Sequence, residues 1–316
     1  MNILFYVLMF VILSISAGVA CFWWRRQYAP NPACKNPARF LKPQSWSDQE
    51  VTIGWVGHST VLINFYGTTI LTDPVWSDKA GIHLGFNWTI GPKRHTRPAL
   101  KMEDLGKVDL IILSHAHLDH FDVPTLKKLV HPETVVITPE NTSRLLRSMA
   151  FSHVLELSAG QSTNPLPDKD LMVRAIPVRH WGNRYPWNRK YGYQGYLLSK
   201  KDTCLFFAGD TAYTPEFARL RQWGKIDVAF IPIGAYEPAQ LQRAHCTPEQ
   251  AWQMFRDMGA EKLVPIHWDT FVLSFEPVDE PLKRLLKAAG EERDRIVIRE
   301  HGQTCCFTKQ FSETLV

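Results

Sequence analysis

The pattern of apolar and polar residues changes at Val51. From there, short apolar runs split by Gly57-His58 and Tyr66-Gly67 predict a meander of strands, and later runs alternate with amphipathic segments typical of helices. The predicted strands are VTIGWV, STVLINF, TTILTD, VDLIILS, TVVITP, LMVRAIPV, QGYLLS, CLFFAGD, DVAFIPIG, EKLVPIHW and RIVIREHG. The predicted helices are VPTLKKLV, SRLLRSMA, PEQAWQMFRDMG and DEPLKRLLKAAG, the third opened by a capping-box sequence at Thr247 and Gln250. This order favours one α+β domain over residues 51–316, with sheets covered by helices.

The N-terminus has a different pattern. No charged residue occurs from Ile3 to Trp24, and a helix of this length would span about 33 Å, close to the roughly 30 Å core of a bilayer. We therefore expect a transmembrane anchor over residues 1–24 and a proline-rich linker over residues 25–50. Because the linker is basic up to Lys42, the positive-inside rule places the catalytic domain on the cytoplasmic side. A cleaved signal peptide ending near Gly18-Val19-Ala20 is the alternative.

Composition narrows the class of protein. The chain has 316 residues, of which 45% are hydrophobic and 21% charged, which argues against disorder. A net charge of +5 is compatible with anionic lipid but shows no dense basic stripe, so we expect no nucleic-acid partner. The six cysteines form no C-x-x-C motif and are interpreted as mostly free thiols, which weakly favours a reducing compartment.

Polar side chains able to bind a metal follow several of the predicted strands. The segment SHAHLDH comes directly after the buried-type strand VDLIIL, and three further candidates follow later strands. The candidate ligands are His115, His117, Asp119, His120, His180, Asp210 and His267. If these strands share one sheet and run the same way, the loops converge at its carboxyl edge. Five histidines and two aspartates are too many for one tetrahedral zinc ion but suit a site with two metal ions.

The same residues carry a family resemblance. SHAHLDH, with the later His180, Asp210 and His267, resembles the metallo-β-lactamase superfamily. The stretches WVGHSTVLI, LTDPVWS, GPKRHTRP, FFAGDT, IPIGAYEP and IHWDTF further resemble the N-acylphosphatidylethanolamine-hydrolysing phospholipase D family over roughly residues 51–305. The resemblance implies a four-layer αββα sandwich with two Zn²⁺ ions. It assigns His115, His117 and His180 to one ion, assigns Asp119, His120 and His267 to the other, and makes Asp210 the bridge.

The resemblance also implies an activity. We expect a zinc-dependent phosphodiesterase of phospholipase D type that cleaves a membrane phospholipid into phosphatidic acid and an N-acylethanolamine. Asp119 and His245, the histidine after GAYEP, are the predicted catalytic residues, although His245 could be a surface residue at a helix start. The bilayer is the expected partner, and the sequence is also compatible with a homodimer.

Other polar and aromatic residues have two interpretations each. His58 and Asp73 are predicted to orient the metal ligands through hydrogen bonds, or else to form turns. Lys93, Arg94 and Arg97 lie in a Gly/Pro loop that could contact lipid phosphate or simply be solvated. The aromatic run at 181–193 could line a lipid groove, lie at the membrane interface or pack within the fold.

Two alternative functions remain open from the sequence. The ligand set also suits another hydrolase of this fold, such as a sugar-phosphate lactonase, a thioesterase or a nuclease. A membrane-tethered metal-binding protein without turnover is the second alternative. The apolar N-terminus and the aromatic run favour a lipid substrate over the first alternative, and the complete ligand set argues against the second.

Overall fold

The computed structural model describes residues 3–28, 32–83, 89–185, 187 and 190–308, with the backbone alone at Leu4, 22–28 and His83. The helices are α1 (Ile3–Tyr28), α2 (Val123–Lys128), α3 (Pro248–Asp257) and α4 (Glu280–Ala289). The strands are β1 (Val51–Gly57), β2 (Thr60–Phe65), β3 (Thr69–Thr72), β4 (Ile82–His83), β5 (Thr89–Ile90), β6 (Leu110–Ile112), β7 (Val135–Pro139), β8 (His153–Leu157), β9 (Ser162–Thr163), β10 (Met172–Ile176), β11 (Gly195–Lys200), β12 (Thr203–Phe207), β13 (Val228–Pro232), β14 (Lys262–Ile266) and β15 (Thr304–Phe307). Short 3-10 helices lie at Pro43–Ser45, Met102–Asp104, Ser143–Leu145, Pro167–Lys169, Pro215–Trp223, Ala239–Arg243 and Gly290–Arg295.

Most of the strands form two large sheets. The first has the order β15-β1-β2-β3-β6-β7-β8 and the second the order β14-β13-β12-β11-β10-β9, while β4 and β5 pair separately. Strands β3, β6, β7 and β8 are parallel to one another, as are β12, β13 and β14. Strand β10 runs the same way as β12 because both are antiparallel to β11. The carboxyl ends of β10, β12 and β14 therefore lie at one edge of the second sheet.

The alternation of side chains along the strands builds the layers. On β6, Leu110 and Ile112 belong to the core between the sheets, whereas Ile111 packs on the opposite face with Leu126 of α2. The hydroxyl of Tyr196 on β11 crosses the core and donates to the carbonyl of Leu113 (2.8 Å). Apolar residues of α3 and α4 complete the second sheet's cover. The predicted sandwich is thus confirmed as a mixed α/β sandwich with helices on its outer faces.

The capping prediction for α3 is confirmed. The hydroxyl of Thr247 accepts from the N–H of Gln250, and the Gln250 side chain accepts in return from the N–H of Thr247 (3.0 Å). These two bonds satisfy backbone donors that a helix N-terminus leaves without partners. They fix the N-cap of α3 at Thr247, two residues after His245.

Two predicted elements are wrong. SRLLRSMA is not an α-helix, because the N–H groups of Leu146 and Met149 donate to carbonyls only three residues back. RIVIREHG is not a strand either, although Ile296 and Ile298 are buried alternately as a strand would bury them. Its backbone makes a single parallel bridge to β14, in which the N–H of Val297 donates to the carbonyl of Leu263 (3.0 Å). The Gln303 side chain then accepts from the N–H of Arg299 and donates to the carbonyl of Val297. The last strand forms later, at β15.

The N-terminal helix precedes the sandwich. Its described apolar side chains are exposed, with Ile3 84% and Phe10 72% accessible. In the described part of the chain, no helix is both long enough and apolar enough to cross a membrane, so the predicted transmembrane helix is not supported. Parts of the predicted anchor, linker and domain lie outside the described residues, at 1–2, 29–31, 84–88, 186, 188–189 and 309–316.

Candidate metal centre

The segment after β6 turns back on itself and brings its polar side chains together. The N–H groups of His120 and Phe121 both donate to the carbonyl of His117, at 3.2 and 2.8 Å. His115 and His120 are buried, and the Asp119 side chain is 15% exposed. This short turn explains how four ligand-type residues within six positions can face a common point.

The remaining candidate ligands come from the other sheet. His180, Asp210 and His267 follow β10, β12 and β14. The condition that all four strands share one sheet is not met, since β6 belongs to the first sheet and these three strands to the second. The candidate site therefore lies between the two sheets, at the edge where β6 of the first sheet and β10, β12 and β14 of the second sheet end.

Three histidines form a first ligand set. The Nδ1 atom of His117 lies 2.8 Å from Nε2 of His115 and 3.2 Å from Nε2 of His180. The opposite nitrogens are held by the protein, with Nδ1 of His115 2.8 Å from the Ser114 hydroxyl and Nδ1 of His180 2.9 Å from the carbonyl of Ala244. Four-coordinate zinc places nitrogen ligands about 3.3–3.4 Å apart, so small movements would fit this set to one ion.

A second ligand set lies beside the first. Oδ2 of Asp119 is 3.5 Å from Nε2 of His120 and 3.4 Å from Nε2 of His267. Oδ2 of Asp210 is 3.2 Å from Nε2 of the same His120 and 3.0 Å from Nε2 of the same His267. Two imidazoles and two carboxylates thus converge on one small volume.

Asp210 lies between the two sets. Besides its contacts with the second set, its Oδ2 atom is 4.0 Å from Nε2 of His115 and 3.9 Å from Nε2 of His180. Its Oδ1 atom is buried without a hydrogen-bond partner, as are Nε2 of His117, Nδ1 of His245 and Nδ1 of His267. Unpaired polar atoms in a protein interior are costly, and such a concentration of them indicates that these atoms bind something else.

The electrostatics of the two sets differ. Burial lowers the pKa of His117 to about 4 and holds the pKa values of His115 and His180 well below the ordinary value, which keeps these rings neutral. Burial also disfavours charge on His267, but Asp210 and Asp119 outweigh it and raise its pKa to about 9. Burial likewise disfavours charge on His120, but Asp210 and Asp119 again outweigh it and hold its pKa well above the ordinary value. The first set therefore offers neutral donors, and in the second the two carboxylates stabilise positive charge.

His58 and Asp73, which the sequence predicted to orient the ligands, both lie within hydrogen-bond distance of candidate ligands. Asp73 is fully buried, and its carboxylate accepts from Ser114 N–H (2.7 Å) and Ser114 Oγ (2.5 Å). The same carboxylate lies 2.7 Å from Nδ1 of His120, which turns Nε2 of that ring toward the site. Nε2 of His58 lies 3.0 Å from Oδ2 of Asp119. Hydrogen bonds of this kind orient metal ligands and increase their basicity.

His245 lies beside the ligands rather than on the surface. Its Nδ1 atom is 3.7 Å from Oδ2 of Asp210, and its ring centroid is 5.1 Å from that of His180. The side chain is 10% exposed, so it borders the site while keeping access to solvent. A catalytic role for His245 stays a prediction that this position allows.

The basic loop separates into two groups. The guanidinium of Arg94 is buried and donates to the carbonyls of Ser77 (3.1 Å) and Val75 (2.7 Å), and it stacks over Phe271. Because these contacts occupy Arg94 inside the protein, the predicted phosphate contact is not supported for it. Lys93 and Arg97 are exposed, and the same contact stays a prediction for them.

Two residues beside the ligands carry roles that the sequence did not indicate. Trp181 stacks on His180, with ring centroids 4.7 Å apart. Arg184 donates to the carbonyls of Ala116 and Phe121, both at 2.9 Å, and so ties the loop after His180 to the ligand turn. The only sequence signal was the clustering of aromatic and basic residues after His180.

The donor chemistry fits metal ions. Imidazole and carboxylate groups suit zinc as well as iron and manganese. The described residues include four groups of histidines and acids compact enough to hold an ion. Their members are His58, Asp119, His120 and His267; His115, His117 and His180; Asp73, His115 and His120; and His180, Asp210 and His245.

Comparisons with known proteins show which family this chain belongs to. Residues 68–268 match the family model described as the Beta-lactamase superfamily domain. The chain is 30% identical to the N-acyl-phosphatidylethanolamine-hydrolyzing phospholipase D 1 of Caenorhabditis elegans over 257 residues, which cover 76% of this chain and 71% of that protein. A mitochondrial enzyme of the same description from Saccharomyces cerevisiae is 32% identical over 263 residues, covering 80% of this chain and 55% of that protein.

Solved structures show the same fold at lower identity. A metallo hydrolase from the archaeon Ignicoccus hospitalis superposes with a TM-score of 0.61 at 21% identity, covering 83% of this chain and all of that protein. An isothiocyanate hydrolase from Delia radicum gut bacteria superposes with a TM-score of 0.64 at 19% identity, covering 81% of this chain and 99% of that protein. At these identities the likeness concerns the fold alone.

Proposed function

We propose that this chain, which belongs to the beta-lactamase superfamily and within it to the N-acyl-phosphatidylethanolamine-hydrolysing phospholipase D family, uses two zinc ions to cleave a phosphodiester bond of a membrane phospholipid. It is a metallo-hydrolase of the β-lactamase fold. The observation that carries the proposal is the position of Asp210 between two ligand sets. Two-metal sites of this kind are used for in-line displacement at phosphorus.

The proposed reaction adds water across one P–O bond. The oxygen of water forms a new bond to phosphorus, the bond to the ethanolamine oxygen breaks, and that oxygen takes up a proton. The products are phosphatidic acid and an N-acylethanolamine. Bound zinc would make hydroxide available near neutral pH and neutralise charge on the phosphoryl oxygens.

The protein side chains have separate tasks in this proposal. Asp119 and Asp210 would hold the cations, and His58 keeps Asp119 oriented through the 3.0 Å contact to its Oδ2 atom. His245, which borders the site, orients the phosphate or assists the departure of the leaving oxygen. General acid–base help of this type is typically worth ~10²–10⁴-fold in rate.

Exposed apolar surface beside the site supports a lipid substrate. Trp181 stacks on His180 yet is 42% exposed, and Trp187 in the same loop is 77% exposed. Large aromatic side chains with one polar atom favour the interface of a bilayer. Helix α1 presents further exposed apolar residues, and we propose that it contacts the bilayer that contains the substrate.

The experiment is a comparison of lipids before and after incubation with purified protein. N-acylphosphatidylethanolamine in detergent is expected to yield phosphatidic acid and N-acylethanolamine by mass spectrometry, and a native lipid extract should lose the same class. A generic phosphodiester and a sugar-phosphate lactone serve as comparison substrates. Turnover of the lactone without turnover of either phosphodiester would reject the phospholipase proposal.

Deletion of residues 1–26 is expected to reduce hydrolysis on vesicles but not in detergent. The deletion removes most of α1 and leaves every candidate ligand in place, so bilayer contact would act by concentrating the protein near its substrate. Flotation with vesicles and assays in both systems measure this. If the truncated protein still floated with vesicles, or lost bound metal, the result would contradict the proposed role of α1.

A further inference from the structure

Backbone hydrogen bonds attach the segment that follows α1 to the loop that contains His95, Arg97 and Ala99. The N–H of Lys35 donates to the carbonyl of His95 (2.8 Å), and the N–H of Arg97 donates to the carbonyl of Lys35 (3.0 Å). Farther along, the N–H of Leu41 donates to the carbonyl of Ala99, and the Leu41 side chain is buried. This part of the predicted linker is therefore attached to the domain.

The Lys35 side chain reaches the turn that carries a candidate ligand. Its Nζ atom lies 3.2 and 3.1 Å from the two oxygens of Asp269, two residues after His267. Both His267 (φ 61°) and Asp269 (φ 45°) have left-handed backbone conformations. Such conformations cost about 1–3 kcal/mol each in residues other than glycine and persist only where contacts with the surroundings impose them. The ion pair with Lys35 is one such contact.

The same turn also supports the partner of Asp119. The hydroxyl of Thr270, adjacent to Asp269, donates to the carbonyl of Trp268 (3.1 Å) and accepts from the N–H of His58 (2.7 Å). The carbonyl of His58 in turn accepts from the N–H of His267 (3.0 Å). Because Nε2 of His58 contacts Asp119, a shift of this turn would move two members of the second ligand set.

Among the residues that the structure describes, no other cation lies beside Asp269. The Asp269 side chain is 14% exposed and faces two imidazoles besides Lys35, those of His95 (3.8 Å) and His301 (3.6 Å). Burial lowers the pKa of His95 to about 4 and holds that of His301 well below its ordinary value, so both rings are neutral at pH 7. Without Lys35, this carboxylate would lose its cationic partner.

We infer that Lys35 is a positioning residue of the metal centre, acting through Asp269 on the turn that carries His267. The inference rests on the metal centre of the proposed function, not on its substrate. It predicts that Lys35→Met weakens metal retention even though Lys35 touches none of the candidate ligands. Loss of partners of this kind typically costs ~10–100-fold in metal affinity, and because Lys35 is half exposed we expect about tenfold.

The test measures zinc release from full-length zinc-loaded protein to a coloured chelator, without substrate. Lys35→Met is expected to release zinc about tenfold faster than the unmodified protein, and Lys35→Arg at nearly the unmodified rate. Lys107→Met is the matched control, since Lys107 makes an exposed ion pair with Glu133 (2.7 Å) and is expected to change nothing. The spectrum of cobalt-loaded Lys35→Met should shift as well.

The route through Asp269 is tested by a double variant. If Lys35 acts through Asp269, then Lys35→Met with Asp269→Asn should release zinc no faster than the faster single variant. Additive effects would overturn the proposed route. An unchanged release rate in Lys35→Met, with or without a lower urea midpoint, would overturn the inference itself. Failure of phospholipid hydrolysis with the zinc effect intact would count against the proposed function alone.

Discussion

Asp210→Asn is expected to abolish measurable hydrolysis, whereas His245→Ala leaves a reduced but measurable rate. Oδ2 of Asp210 faces both ligand sets, so the variant removes a negative charge that both proposed ions would share. His245 stands 3.7 Å from that oxygen and has no such bridging position. Its loss is expected to cost ~10²–10⁴-fold, the usual worth of acid–base help, and the loss from Asp210→Asn should exceed it.

Metal content must be measured together with these rates. Asp210→Asn is expected to retain less zinc than the unmodified protein, and His245→Ala should keep a full complement. Glu133→Gln, an exposed acid remote from the site, controls for the loss of one negative charge. If His245→Ala proved the more damaging change in protein reloaded with zinc, the roles assigned to these two residues would be reversed.

The candidate ligands could be predicted from the sequence because the pattern that identifies them is local. Four members fall within SHAHLDH, and each of the other three follows an apolar strand within a few residues, so no long-range arrangement had to be known. The sequence could not predict in the same way which strand belongs to which sheet. An apolar run reads alike in either sheet, and only the pairing of β6 with β3 and β7 places it apart from β12 and β14.

Contacts distant in the chain explain what the sequence did not predict. Arg94 resembles its exposed neighbours Lys93 and Arg97, and only the fold shows that its guanidinium is surrounded by backbone carbonyls. Lys35 and Asp269 are 234 positions apart, so no spacing rule could pair them. The strand at β15 was missed because Ile296 and Ile298 imitate strand alternation just before it.

Purified protein is expected to contain close to two equivalents of zinc, and prolonged treatment with a chelator should remove both metal and activity. The expectation follows from the two ligand sets, which together have more donors than one tetrahedral ion can use. Returning zinc should restore the rate. Elemental analysis beside a hydrolysis assay measures each step, and restoring full activity with a single equivalent would contradict a two-metal site.

Variants of each set should separate the two ions. His180→Ala removes one of three donors from the first set, and His267→Ala removes one from the second, so each is expected to lower zinc content to about one equivalent. His153→Ala, at an exposed histidine on β8, should retain both. Because Asp210 faces both sets, Asp210→Asn should weaken both ions, a pattern that neither histidine variant would give. Equal loss from all three site variants would instead indicate that the two ions bind only together.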